Sequence, residues 1–175
     1  MCLQLELPDL VAIARHRRDT WAMKTAPDDL AALHALFAAE RHGVLCTAHS
    51  RHGGWPFGSL APYAITAQRD PVFLFSAIAE HTHNLRADPR ASLLVQDRGS
   101  LDQPLAGARA TQLGTAEVPE GQARSDALDC YLARFPEAAE WATAHDFAPF
   151  VMRVEQVRWI RGFGSMGWVQ RRDWQ

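Results

Sequence analysis

Three polar side chains close together carry the first chemical hint: His81, Thr82 and Asn84 in the run AEHTHNLRADP. An apolar run, Val72–Phe75, precedes them. The polar run reads as a helix of one or two turns, with Thr82 as N-cap, Leu85 as a buried anchor and Pro89 as its stop. The start of such a helix offers unpaired backbone N–H groups and the positive end of the helix dipole. Imidazole, hydroxyl and amide groups placed there make an anion seat, and a phosphate-bearing cofactor is its simplest occupant.

Other chemistries find less support. His49 with His52, or His81 with His83, form no metal-ligand pattern with a nearby cysteine or carboxylate set, so no metal is expected. Gly162 to Gly167 spells GxGxxG, but eight residues follow it. The helix, second strand and acidic residue of a dinucleotide fold have no room there, and the run reads as a glycine-permitted turn. No GxSxG, activated Cys–His pair or close carboxylate pair supplies a nucleophile. Any chemistry would come from a cofactor, which the protein binds and shields from water. No catalytic acid or base is named by the residues. His34, alone on a helix, reads as structural, with axial ligation of haem as the rival role.

The elements that must position these groups fit one domain. The chain has 175 residues, a formal charge of −2 and a pI near 6.4, which gives no electrostatic reason to expect nucleic acid. Cys2, Cys46 and Cys130 are unpatterned, and no signal peptide or long apolar span is evident. Reduced thiols in a cytoplasmic protein, not membrane-bound, follow. Cys46, in GVLCT, reads as an inert core thiol. Residues 1–24 lack a period and read as a partly mobile N-terminal segment, with one domain over 25–175. Thr25 and Asp28 form a capping box for an amphipathic helix carrying Leu30, Leu33 and Phe37, which Gly43 ends. GVLCTA, Ser59–Ile65, Val72–Phe75, ASLLV and ARATQLGTAEV read as strands. EGQARSDALDCYLARFP and EAAEWATAHDF read as helices. PFVMRVEQVRWIRGF reads as a long or bent strand, with Phe150, Met152 and Val154, then Val157 and Trp159, on alternate sites. The fold class is mainly β with α additions, a small antiparallel barrel of about six strands.

PFGSLAPYAI, LFSAIAEHTHNLRADPRASLLV, PLAGARATQLGTAE and GFGSMGWV together resemble the pyridoxamine 5′-phosphate oxidase-like superfamily, and within it the haem-utilisation, HugZ-like branch. The resemblance runs from about Asp28 to Val169. It implies a six-stranded antiparallel split β-barrel that binds FMN in a cleft between the subunits of a homodimer. Gly58, Ser59 and Leu60 match the strand that lines the flavin in oxidase members, although that strand's two cations are missing here. Ser76 matches a hydroxyl at the next strand end. His81 stands at one of the two basic phosphate positions, followed by Thr82 and Asn84, and Arg109 matches a glutamine beside the flavin ring. Trp168 is placed to reach the flavin edge. Trp159, Phe163 and Trp168 are candidates for the dimer interface. The resemblance implies an FMN-dependent oxidoreductase of unknown small-molecule substrate. Haem, held by the same barrel without flavin, is the alternative. A further C-terminal region that accompanies haem handling in similar proteins is not expected after Gln175, which favours the flavin.

Overall fold

The computed structural model describes residues 27–142, 146–162 and 165–175. The expected N-terminal segment, Thr25 of the capping box and Phe163 lie outside them. Helix α1 (Pro27–Ala39) leads into β1 (His42–Ala48), β2 (Pro56–Pro62), β3 (Ala64–Ile65) and β4 (Pro71–Ser76). Helix α2 (Glu80–Ala87), β5 (Arg90–Gln96) and β6 (Arg109–Glu117) follow, then α3 (Gly121–Arg134), α4 (Ala139–Ala142), β7 (Phe147–Gly162), β8 (Ser165–Gln170) and α5 (Arg171–Trp174). Among the described residues no helix is long and apolar enough to cross a membrane.

The strands form one antiparallel sheet in the order β2-β1-β5-β6-β7-β4-β3, with β8 also on β7. Among the described residues there are eight strands where six were expected. The reason is local. Tyr63 breaks one apolar run into β2, which pairs with β1, and β3, which pairs with β4. The same stretch of chain therefore meets both ends of the sheet order, and the sheet curls into a split barrel. Strand β8, read from the sequence as a turn, pairs with β7 from Gln156 to Gly162.

Alternation of side chains sets the interior. Leu45, Leu93, Val95, Ala110, Phe150, Met152, Val154, Val157 and Trp159 point inward and are buried. The inward phase of β7 shifts between Val154 and Val157 because Leu113 pairs with Gln156 while Gly114 pairs with Val154. Glu155 is thus the extra residue of a β-bulge. A Cβ at Gly114 would come 2.1 Å from the Arg153 carbonyl oxygen, so only glycine fits opposite the bulge. Gly43 does not end α1, which stops at Ala39; it lies in β1, where a Cβ would stand 2.6 Å from the Leu94 carbonyl oxygen. Leu33 and Phe37 of α1 plug one end of the barrel. Helix α3 lays Ala127 and Tyr131 over the outer side of β3 and β4, against Ala64, Val72 and Leu74.

The short α5 is fixed by a charge pair between buried Asp70 and half-buried Arg171. Arg171 donates to both carboxylate oxygens of Asp70, at 3.0 and 3.2 Å, and to the Val154 carbonyl, while the Val154 N–H donates to Asp70 at 2.9 Å. The Trp174 indole donates to the Arg69 carbonyl at 3.1 Å. His34 Nε2 lies 3.1 Å from the Trp174 carbonyl oxygen, with its ring edge-on to the indole. That is the structural role expected of His34.

Candidate functional site

Among the described residues no helix lies over the outer side of β2, β1, β5, β6 and β8. Register places Leu60, Val44, Leu94, Thr111, Arg158 and Trp168 in one row across six strands. A second row runs Gly58, Cys46, Ser92, Leu113, Gln156 and Gln170. Leu60 is 70% exposed, and Val44, Leu94, Leu113 and Met166 are also exposed. A contiguous apolar face of this kind marks a surface that something else covers. Beside it lies an open cleft of 530 Å³ lined by Cys46, Ala48, Pro56, Ser92, Leu113 and Gln156. The expectation of a core position for Cys46 is corrected here. Strand alternation turns Leu45 and Thr47 inward, so the thiol faces the cleft.

The sequence-expected residues fall into separate groups. Gly58, Leu60 and Trp168 share the bare outer face, whereas Ser59 points to the opposite side of β2. Arg109 begins β6, and its guanidinium is engaged by the carbonyls of Pro104, Leu105 and Gly107 at 3.5, 3.3 and 3.3 Å. Trp159, expected at an interface, is buried in the core.

Ser76, His81, Thr82 and Asn84 do come together, at the junction of β4 and α2, but their polar atoms are largely spent within the chain. Thr82 is not the N-cap. Ala79 holds that place, and the Thr82 hydroxyl, inside the first turn, donates to the Ser76 carbonyl at 2.7 Å. The Asn84 amide donates to Thr47 Oγ1 at 3.0 Å and accepts from the Ser50 N–H at 2.8 Å. Thr82 and Asn84 are fully buried. Ser76 Oγ donates to Asp146 at 3.2 Å and accepts from the Ile78 N–H. The His81 ring lies 4.0 Å from that of Phe75, and burial pushes its pKa below the usual histidine value. A neutral imidazole and saturated hydroxyl and amide groups suit a structural seam between β1 and β4 better than a seat for a doubly charged phosphate.

Cations also sort themselves. Arg90 lines the cleft but is clamped by Asp88, whose carboxyl the Arg90 hydrogen bonds hold down at about 2. On β7, Arg153 pairs with Glu155 and Arg161 with Asp29. Arg158, between them, has no acidic partner among the described residues; its guanidinium sits 5.7 Å over the Trp168 ring. Sequence reasoning missed Arg158 because its isolation depends on the partners that Arg153 and Arg161 find in the fold.

Residues 28–175 match the β-barrel of the CREG family. The chain belongs to the CREG β-barrel family. It is 32% identical over 123 residues to the chloroplast heme oxygenase HOZ of Arabidopsis thaliana, covering 70% of this chain and 37% of HOZ. A heme binding protein from Mycobacterium smegmatis has the same fold with a TM-score of 0.78 and 32% identity, over 85% of this chain and 60% of that one. The chain thus spans less than two thirds of either relative. A protein related to general stress protein 26, of the pyridoxinephosphate oxidase family, from Clostridium acetobutylicum superposes with a TM-score of 0.61 at 13% identity, over 82% of this chain and 94% of that one. This last likeness concerns the fold alone and agrees with the split barrel expected from the sequence. Both of the 32% relatives are named for haem.

Proposed function

We propose that this chain is a haem-binding protein of the CREG β-barrel type, in which the bare outer face holds the porphyrin between two copies of the chain. The apolar row of Leu60, Val44 and Leu94, with Leu113 and Met166 beside it, carries this reading. A porphyrin is a large apolar disc with a charged edge, and it needs such a surface to leave water. Gly58, Leu60 and Trp168, expected from the sequence to meet a cofactor, lie on this face. When bound, haem supplies iron chemistry; the chain's share is to desolvate and orient the ring. FMN fits less well, because the groups that would hold its phosphate already bond one another.

A second copy covers the same face in this reading. The expected homodimer buries more than about 1,000 Å², and light scattering at micromolar concentration with haemin present is expected to give twice the monomer mass. The deciding experiment is parallel titration of one purified preparation with haemin and with FMN, with albumin as a control for non-specific haemin uptake. A saturable Soret band at one haem per chain or per dimer is expected. Tight FMN binding without saturable haemin uptake would return the flavin to first place.

A further inference from the structure

We propose that Arg158, stacked on Trp168, is the anion receiver of the outer face and binds a carboxylate of the porphyrin edge; the proposal rests on the haem reading above. The observations are positional. Five residues of the row Leu60–Val44–Leu94–Thr111–Trp168 are uncharged, and Arg158 alone brings a charge into it. Arg153 and Arg161 on the same strand are each neutralised by a carboxylate, and Arg90 and Arg109 are held by Asp88 and by loop carbonyls. Arg158 has an aromatic ring on one side and no acidic partner among the described residues. Stacking fixes the plane of the guanidinium while leaving its N–H fork free for a planar, bidentate anion. A single cation in an otherwise uncharged row is complementary to a ligand that is apolar over its body and anionic at its rim.

The test uses the full chain and two ligands differing only in that rim: haemin, and haemin with both carboxylates methyl-esterified, titrated in the same detergent. Wild type is expected to bind haemin about tenfold or more tighter than the diester, the scale of a hydrogen bond to a charged group. Arg158→Met is expected to lose that preference, binding both ligands as wild type binds the diester, while Arg158→Lys restores part of it. Equal affinity of wild type for the two ligands would overturn the proposal without needing any variant to fold. So would Arg158→Met weakening both ligands alike, which marks a packing role against Trp168. An Arg158→Met effect confined to FMN would assign the cation to a phosphate instead. Failure of wild type to take up haemin saturably, with the diester equally unbound, would overturn the haem reading itself. Haemin bound with no discrimination at the rim would overturn only the role of Arg158.

Discussion

Leu74 on β4 and Leu94 on β5 both point away from the barrel interior, yet Leu74 is 6% exposed and Leu94 is 39% exposed. Around Leu74, α3 supplies Ala127 and Tyr131, the residue that follows it supplies Phe135, and α4 supplies Ala142. Around Leu94 the neighbours are Val44, Thr111 and the open cleft edge. A 14-residue helix therefore covers one half of the outer surface, while among the described residues nothing covers the half that carries Leu60, Val44 and Leu94. Exposed apolar surface works against solubility, and it is this half that the haem reading assigns to an occupant. Inner faces do not differ in this way: Phe73 behind Leu74 and Leu93 behind Leu94 are both fully buried.

The strongest way to break the comparison is to place the same charge on each half. Leu74→Asp is expected to prevent folding, since an unpaired carboxylate beneath α3 costs several kcal/mol against a total stability of about 5–15 kcal/mol. Leu94→Asp is expected to melt within about 3 °C of wild type, the range of a surface change, while losing haemin uptake and dimerisation. Circular dichroism melts and light scattering read both. If Leu94→Asp also unfolds the protein, the bare half is part of the monomer's core and the contrast disappears.

The Asp70–Arg171 pair ties the start of β4, in the covered half, to β7 and α5. Arg171→Met leaves the buried Asp70 carboxylate with the Val154 N–H as its remaining partner there, and is expected to cost about 3–5 kcal/mol, as removal of one partner of a buried pair does. Urea unfolding measures it. Asp70→Asn combined with Arg171→Met is expected to recover part of the loss, because no charge is then stranded. A loss under about 1 kcal/mol would mean that α5 rests on Trp174 packing and not on the charges.

Much of this division was legible from the residues. Period-two runs gave the strands, and Leu33 and Phe37 gave the buried stripe of α1. The alternate apolar sites of β7, Phe150, Met152 and Val154 and then Val157 and Trp159, were legible as a long or bent strand, although not which face they take. What failed were statements about faces and partners. Cys46 and Trp159 are both apolar-run residues, and a short apolar run does not say which side of the sheet is inside. Thr82 and Asn84 have the composition of an anion seat, but their hydrogen bonds go to Ser76, Thr47 and Ser50, two of which lie more than thirty positions away in the chain. Arg158 was unreadable because its isolation depends on Arg153 and Arg161 having found partners.

Behind the bare half the interior carries a cost of its own. Gln112 on β6 is fully buried, and neither its Oε1 nor its Nε2 has a hydrogen-bond partner among the described residues. Its strand neighbours Leu93 and Val157 are apolar. Gln112→Met keeps the side-chain length and removes the unpaired amide, so it is expected to stabilise the protein by about 1–2 kcal/mol. That would raise the melting temperature without touching either outer face. A destabilisation of that size would show that the amide is satisfied in solution, for instance by an internal water.

The smallest expected effect lies at the seam where the two halves meet. His81 packs on Phe75 of the covered half, and its helix is tied through Asn84 to Thr47 and Ser50 of the bare half. Burial lowers the His81 pKa in the fold, and burial likewise lowers that of His34 under Trp174. A histidine whose folded pKa lies below its unfolded value of about 6.5 contributes its full stability above that value. The contribution falls as pH drops below it and levels off once both states are protonated. Thermal stability is therefore expected to decline from pH 7 towards pH 5. Asp88, held near 2 by Arg90, does not titrate in that window. His81→Gln is expected to flatten part of the decline and His34→Gln another part, each by less than the gain at Gln112. An unchanged slope in the double variant would remove both rings from the acid response and place it on carboxylates elsewhere in the fold.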